Sequence, residues 1–156
     1  MRTLRRPRMP RSELDRGAAR EQPVMLVTLG VPYERVAADY AVDAAVETGR
    51  PLLLVNVVEM ILGPLAVTFG SSWELADEAD AEALAAPARL AAAHGVQVER
   101  LRVCSPHPVD ALVQLAGERA PGLLVFGPDR ARLTSRRYRS AVRAVRERCS
   151  CLVWLP

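Results

Sequence analysis

The residues of this 156-residue chain that could carry out chemistry are three cysteines, two histidines and the arginines near its C-terminus. Cys149 and Cys151 lie two residues apart, which on a strand places both thiols on one face. A zinc site needs more ligands than these, and only His94 and His107 could complete one. An odd number of cysteines without a secretory leader is typical of a reducing cytosol. We therefore expect buried, unreactive thiols, no bound metal and a cytoplasmic location.

No group of side chains has the spacing of a catalytic site. Ser105 and His107 are close in sequence, but capping of the helix that follows explains them better than a nucleophile and its base. A phosphate-binding loop of the G-x4-G-K-[ST] type needs a lysine, and all 21 basic residues here are arginine. The sequence therefore predicts a protein that is not an enzyme, with slow ATP hydrolysis left open.

The arginines are unevenly distributed along the chain. Residues 130–156 contain eight arginines and a single acid, whereas residues 34–82 contain ten acids and two arginines. Such a basic end attracts phosphate, nucleic acid or an acidic partner, although a solvated helix face is the plainer interpretation. The acidic middle could also pair with it, within one molecule or across a dimer. Nucleic acid is the least favoured partner, because aromatic residues make up only 4% of the chain and offer no platform for stacking bases.

Short apolar runs alternate with helical patterns over most of the chain. The runs predict strands at 23–29, 52–58, 96–103, 123–126 and 151–155. Apolar residues at helical spacing predict helices at 33–48, at 74–94, after His107-Pro108 and at 138–148, the last preceded by a basic loop at 128–137. Strands separated by helix-length crossovers form a parallel sheet with helices on both faces. We expect one α/β domain at 23–156, preceded by a flexible arginine-rich tail at 1–22.

The first helix is predicted to present two contrasting faces. The exposed face is expected to carry Arg35, Asp39, Asp43 and Glu47. The buried face is expected to carry Val36, Ala37, Tyr40, Ala41, Ala44 and Ala45. Gly49 is a natural C-terminal cap for this helix, whereas Pro87 is expected to break or kink the second one.

Residues 51–70 are apolar enough to raise a membrane span as an alternative. Asn56, Glu59 and Pro64 fall in the middle of this segment, and a carboxylate at the centre of a bilayer costs roughly 2.5–3.5 kcal/mol. A buried strand followed by an apolar connection at 59–73 explains the segment better. We therefore expect no membrane association.

Several stretches of the chain form a recognisable series in their order and spacing. They are VTLG at 27–30, Ala37-Ala38-x-x-Ala41, Gly49, 52–58 with its VNVV, His107-Pro108-x-x-Ala111-Leu112, LLVFG at 123–127, and the end from Arg139-Ser140 to CSCLV at 149–153. Taken together, these stretches resemble the universal stress protein family over residues 23–156. The resemblance implies a Rossmann-like, five-stranded parallel sheet of strand order 3-2-1-4-5 and, usually, a homodimer.

The resemblance also implies where a nucleotide would bind. Family members that bind ATP carry G-x2-G-x9-G-[ST] after strand four and an acid at the end of strand one. In this chain Leu29 stands at the position of the acid, Gly127 is the first glycine, and Arg130 replaces the second. Glycines let a backbone close around phosphates, whereas Arg130 brings bulk together with positive charge.

The closing pair of this motif is also incomplete. It reads Arg139-Ser140 if one residue is deleted and Ser140-Ala141 if none is. The candidate residues for holding a nucleotide or another anion are Gly30, Gly127, Arg130, Arg139 and Ser140. Because only part of the motif is present, we expect no cofactor, and ATP binding in an altered site is the alternative.

The sequence therefore predicts a stress-protein-like regulatory domain that acts as a homodimer and through an unidentified protein partner. Strand five, from Cys151 to Leu155, would lie at an edge of the sheet, where its unpaired backbone groups favour pairing with the same strand of a second copy. The first alternative is a nucleotide-binding member of the family with an altered phosphate loop. The second is a nucleic-acid-binding module that uses the arginine-rich segments.

Overall fold

The structure, a computed structural model, describes residues 22–60 and 78–156. Its strands are β1 (Val24–Thr28), β2 (Leu52–Glu59), β3 (Val98–Ser105), β4 (Leu123–Phe126) and β5 (Leu152–Trp154). Its helices are α1 (Arg35–Thr48), α2 (Glu78–Ala93), α3 (Pro108–Arg119) and α4 (Ser135–Arg148), with a 3-10 turn at Arg130–Arg132. The predicted tail at 1–22, except Gln22, lies outside the described residues. So do the start of the second predicted helix and almost all of the 59–73 connection.

The five strands form one parallel sheet in the order β3-β2-β1-β4-β5, which confirms the predicted fold class. All of β1 is buried, as expected for a central strand covered on both faces. Val27 of β1 lies in register with Val55 on one side and Phe126 on the other. The carboxyl ends of β1 and β4 are therefore neighbours at the middle of the sheet.

Alternate residues of the central strands point to opposite faces and make two separate cores. The core beneath α1 and α2 contains Val24, Leu26, Leu52 and Leu54. The core beneath α3 and α4 contains Met25, Val27, Leu53, Val55 and Phe126. Each fully buried side chain of this size stabilises the fold by roughly 1.5–3 kcal/mol, so the sheet is the rigid part on which the loops are mounted.

Helix α1 is rotated relative to the prediction. Ala38 and Val42 are buried, whereas Val36 is 60% exposed and Tyr40 is 39% exposed, so the expectation that the last two face inward is wrong. Tyr40 instead stacks on Trp154 of β5 with ring centroids 4.6 Å apart. An alanine-rich helix has apolar residues on several sides, so its sequence does not define one buried face. Gly49 caps the helix in the left-handed conformation, as predicted.

Helix α2 continues through Pro87, so the expected break is absent from it. Pro87 is buried, and Leu84 and Ala88 on either side of it pack against the same core as Ala91. Packing before and after the proline offsets the roughly 3 kcal/mol that a proline costs inside a helix. None of the helices in the described parts of the chain has the length and apolar character needed to cross a membrane.

Two further expectations are corrected by the structure. Helix α4 begins at Ser135, so the predicted basic loop at 128–137 is shorter and contains a 3-10 turn. Cys104 is exposed, because Leu101 and Val103 are the residues of edge strand β3 that pack against the core. Cys149 and Cys151 are half-buried, and all three thiols are free.

Candidate functional site

The candidate site lies where the strand order reverses, between the carboxyl ends of β1 and β4. Doubly wound sheets bind ligands in the crevice at this switch point, because the loops that leave the two strands diverge there. Residues 29–34 connect β1 to α1, and residues 127–134 connect β4 to α4. The contacts between these two loops decide how much space and how many free hydrogen-bond donors a ligand would find.

Backbone hydrogen bonds join the two loops across the switch point. The amide of Glu34 donates to the carbonyl oxygen of Gly127 at 2.9 Å, and the amide of Asp129 donates to that of Pro32 at 2.9 Å. Tyr33 and Pro128 form an antiparallel bridge between these two bonds. We call this contact, made by residues 32–34 and 127–129, the loop bridge. It holds the two loops together at the position where a doubly wound fold usually opens.

Gly127 is held tightly within the loop bridge. Its amide donates to the carbonyl oxygen of Val27 at 2.9 Å. A Cβ atom on Gly127 would overlap the Cβ of Ala37 on α1 and lie 3.4 Å from Cδ1 of Leu26. Its φ angle is not among the positive ones, so close packing of α1 on β4 is the reason for a glycine here.

Gly30 lies against a different part of the sheet. It has a φ of 70°, and its amide donates to Oδ1 of Asn56 on β2 at 2.9 Å. A Cβ atom added to Gly30 would lie 3.8 Å from the carbonyl oxygen of Val57 and 3.9 Å from the Cα of Val58. Gly30 therefore faces β2 and Gly127 faces α1, so the two strand-ending glycines do not form one cradle.

Leu29 stands at the position where the resemblance implies an acid, and it is buried. It is 1% exposed and belongs to the apolar cluster that contains Phe126 and Leu112. A carboxylate at this position would enter the core instead of the crevice. The leucine side chain has no polar group with which it could bind a ligand.

Arg130 is held over the ring of Tyr138. Its guanidinium carbon lies 4.7 Å from the ring centroid, a cation–π contact. The ring of Tyr138 in turn lies 6.0 Å from that of Phe126, at the end of β4. The Asp129 carboxylate caps the 3-10 turn by accepting from the amide of Ala131 at 3.0 Å. The positive charge of Arg130 is therefore held against the ring of Tyr138 in the first turns of α4.

Arg139 and Ser140 lie within α4, not in a loop. The Oγ1 of Thr134 caps this helix by accepting from the amide of Arg137 at 3.3 Å, and the Nε of Arg139 donates to the carbonyl oxygen of Ser135 at 3.3 Å. Only the first four amides of a helix lack a partner in the helix itself. The amides of Arg139 and Ser140 come after these four and are used by the helix.

Most other amides of the loop before α4 are also engaged. The amide of Arg132 donates to the carbonyl oxygen of Asp129 at 3.1 Å, and the amide of Leu133 donates to the carbonyl oxygen of Arg130 at 3.4 Å. Pro128 has no amide hydrogen. The loop therefore offers few of the free donors from which a phosphate-binding nest is built.

Two polar residues of the loop bridge, Tyr33 and Glu34, carry no sequence pattern that marks them as functional. Glu34 precedes α1, and its Oε2 is buried without a hydrogen-bond partner among the described residues. Burial raises the pKa of Tyr33 above its ordinary value, and the positive charge of Arg100 partly opposes this shift. Tyr33, Asn56 and Arg100 help to line a groove of about 350 Å³ over β2 and β3. No sequence pattern marks this groove, because its lining residues come from four separate segments of the chain.

Comparison with known proteins identifies the family. The model described as the universal stress protein family matches residues 22–155. The chain belongs to this family. No curated protein is a match to the sequence. Residues 23–156, on which the resemblance rested, are thus almost the same as those that the family model matches.

Solved universal stress proteins have the same fold. One in complex with cAMP is 25% identical, with a TM-score of 0.58, and the match covers 87% of this chain and 96% of that one. One from Archaeoglobus fulgidus in complex with dAMP is 18% identical, with a TM-score of 0.57 and coverage of 86% and 96%. One from Arabidopsis thaliana with AMP bound is 17% identical, with a TM-score of 0.53 and coverage of 85% and 90%.

Proposed function

We propose that this chain is a cytoplasmic regulatory domain of the universal stress protein family that does not bind ATP through the family's motif and acts by self-association and contact with a protein partner. The observation that carries the proposal is the position of Arg139 and Ser140 inside α4. A phosphate loop closes on its ligand through free backbone amides, and at these two residues the helix has used them.

The rest of the switch point supports the same conclusion. The loop bridge joins the two loops at the switch point with backbone hydrogen bonds between Glu34 and Gly127 and between Asp129 and Pro32. Leu29 directs an apolar side chain into the core where a nucleotide-binding relative would present an acceptor. A nucleotide that enters between the two loops would have to separate them, and the free energy of this step would weaken its affinity.

The test is calorimetry of the full chain with ATP and magnesium. We expect no binding tighter than about 100 μM, which corresponds to about −5.5 kcal/mol. A site of micromolar affinity that Ser140→Ala weakens would contradict the proposal. Gly127→Val is not a usable control, because a Cβ at that position collides with Ala37 and the variant would be impaired in folding.

A nucleotide site of altered form is the second candidate function. It is favoured by the solved relatives in complex with cAMP, dAMP and AMP, of which the cAMP complex is the most similar of the three in sequence. The same calorimetry with cAMP and AMP separates the two candidates. Micromolar binding of either, weakened by Arg130→Ala, would establish the altered site.

Self-association is proposed through the edge strand β5. This strand pairs with β4 on one side only within the described sheet, and Leu152 is 70% exposed. Trp154 is fixed against α1 by its stack on Tyr40, so the edge is held in place for pairing. A second β5 would satisfy the unpaired backbone groups and cover Leu152 symmetrically.

Light scattering at micromolar concentration tests the dimer. We expect a mass of about 34 kDa, twice the 17.0 kDa of one chain. Leu152→Glu should give monomers, because two carboxylates would meet at the strand pair. Val36→Glu is the matched control, since Val36 is also an exposed aliphatic residue but lies on α1. A strict monomer for the unaltered chain would rule out this interface.

A further inference from the structure

The structure divides the arginines of α4 into two groups that the sequence does not distinguish. Arg137 pairs with Glu59 at the end of β2 at 3.2 Å, and Arg148 pairs with Asp110 of α3 at 2.5 Å. These two lie toward the rest of the domain, and neighbouring carboxylates neutralise them. Their role is to attach α4 to the sheet and to α3.

The other arginines of this helix form an exposed stripe. We call Arg136, Arg139, Arg143 and Arg146 the arginine stripe. All four are exposed, and their spacing of three, four and three residues places them on one side of α4. Glu147 is the single acid of the helix, and it accepts from the Nε of Arg143 at 2.9 Å. The stripe therefore carries a large excess of positive charge.

The dimensions of the stripe fit a polyanion. Ten residues separate its ends, which corresponds to about 15 Å along a helix. Over that length one strand of a nucleic acid duplex presents about four phosphate charges, at one per ~3.4 Å. An open groove of about 390 Å³ runs along the same side, and Arg139, Arg143 and Arg146 are among the residues that line it. Several guanidinium groups can thus reach one phosphate backbone together.

We propose that the arginine stripe binds the phosphate backbone of double-stranded nucleic acid. The proposal goes beyond the function proposed above and does not depend on it. Guanidinium groups make charge-assisted hydrogen bonds to phosphate oxygens, and the release of counterions drives the association. Contacts to phosphate carry no direct sequence information, so we expect binding that is independent of sequence.

The surroundings of the stripe favour a duplex over the other anionic partners. A single strand needs exposed rings on which its bases stack, and the nearest ring, that of Tyr138, is only partly exposed, with Arg130 over one face and Phe126 6.0 Å away. A protein partner needs an apolar centre to its interface. Along the stripe Val142 is only partly exposed and already packs against the core. A duplex backbone requires neither feature.

The test is fluorescence anisotropy of a labelled 20-base-pair duplex with the full chain between 50 and 200 mM salt. We expect the logarithm of affinity to fall linearly with the logarithm of salt concentration. Replacing all four stripe arginines with glutamine should weaken binding more than tenfold. It should also reduce the salt slope by about 2.7–3.6, since each phosphate contact contributes ~0.9 and Arg143 is already paired with Glu147. Circular dichroism should show the variant folded, because the four side chains are exposed.

A matched pair of variants separates the stripe from net charge. Arg139→Gln with Arg146→Gln should reduce the slope by about 1.8. Arg35→Gln with Arg89→Gln removes the same charge from exposed positions on α1 and α2 and should leave the slope unchanged. Equal slopes for the two pairs would overturn the proposal, because binding would then follow overall charge or another segment. It would also be overturned by absence of binding at 50 mM salt, or by tighter binding to the single strand than to the duplex.

Discussion

Gly127 lies so close to Ala37 that the two residues leave no room for a side chain between β4 and α1. This contact gives a glycine at the end of β4 a structural purpose that is independent of any ligand. The same residue begins the partial motif, so its identity alone is weak support for a phosphate site. The loop after it supports the same view, since most of its amides are already engaged.

Replacing Gly127 with alanine should destabilise the domain. The added Cβ would overlap the Ala37 Cβ, and overpacking of this kind typically costs about 1–3 kcal/mol. The free energy of unfolding in urea would report the loss. Adding Ala37→Gly should recover part of it, although glycine inside a helix itself costs up to about 1 kcal/mol.

Gly117 provides the control for this experiment. It lies inside α3, and a Cβ added to it would meet nothing within 4 Å. Gly117→Ala should therefore stabilise the protein by about 0.5–1 kcal/mol, as alanine is the better helix former. Equal effects of the two glycine replacements would show that the contact with Ala37 carries no energetic weight.

Replacing Leu29 with aspartate should produce a deficit in stability that depends on pH. Leu29 is 1% exposed, so burial would raise the pKa of the introduced carboxyl in the folded state. The folded state then holds its proton more tightly than the unfolded one. Stability is therefore best retained below the unfolded pKa of about 3.9 and declines by up to ~1.4 kcal/mol per pH unit as pH rises toward the raised pKa.

Leu29→Asn separates the charge from the loss of apolar volume. Asparagine has about the size and polarity of aspartate but does not titrate. The loss of unfolding free energy that Leu29→Asn causes, measured in urea, should therefore not change between pH 4 and 8. If the two variants behave alike across this range, the aspartate is solvated, and the position faces the crevice instead of the core.

The three thiols should react at different rates with an aromatic disulfide reagent. Cys104 is exposed and should be modified first. Burial raises the pKa of both Cys149 and Cys151, so less of each is present as the reactive thiolate at neutral pH. Cys104→Ser should remove the fast phase, and the slow phase should accelerate as pH rises above 8. A fast phase that persists in Cys104→Ser would contradict this assignment.

The contact between Asp110 and Arg148 should affect stability in acid. The hydrogen bond and positive charge of Arg148 lower the pKa of Asp110 in the folded protein. A lowered folded-state pKa stabilises the fold above the unfolded pKa, near 4, and this contribution is lost as pH falls through the lowered value. Asp110→Asn should therefore lose less stability between pH 5 and pH 2 than the unaltered chain.

An exposed acid elsewhere gives the comparison for Asp110. Asp43 lies on the outer surface of α1, far along the chain from Arg148. Asp43→Asn should preserve the acid dependence of the urea midpoint that the unaltered protein shows. Parallel acid profiles for the Asp110 and Asp43 variants would mean that the contact with Arg148 does not hold α3 and α4 together in solution.

The fold could be predicted from sequence because its signals are local. The continuous apolar run of β1 and the glycine that ends α1 each lie within a few residues of the feature they define. Prediction is weaker for features that depend on contacts between segments far apart in the chain. Helical spacing predicts Val36 and Tyr40 on the buried face because the alanines of α1 mark no single face, and the position of Trp154 explains why Tyr40 lies at the surface.

The candidate site was less predictable for the same reason. Helix α4 begins at Ser135 because Thr134 caps it. The segment is rich in arginine and has few apolar residues at helical spacing, so the sequence does not indicate this start. The division of the α4 arginines depends on Glu59 and Asp110, carboxylates from distant parts of the chain. No side-chain pattern marks the loop bridge, because backbone atoms make its hydrogen bonds.

Because backbone atoms make the loop bridge, its geometry depends little on which side chains these loops carry. Backbone hydrogen bonds such as those between Glu34 and Gly127 and between Asp129 and Pro32 persist whatever side chains the donor residues carry, provided that each keeps its amide. Many substitutions in these loops would therefore leave their shape intact. Sequences could drift apart at the switch point while its geometry stays fixed, so the divergence of loop sequences within a family can overstate the divergence of loop structures.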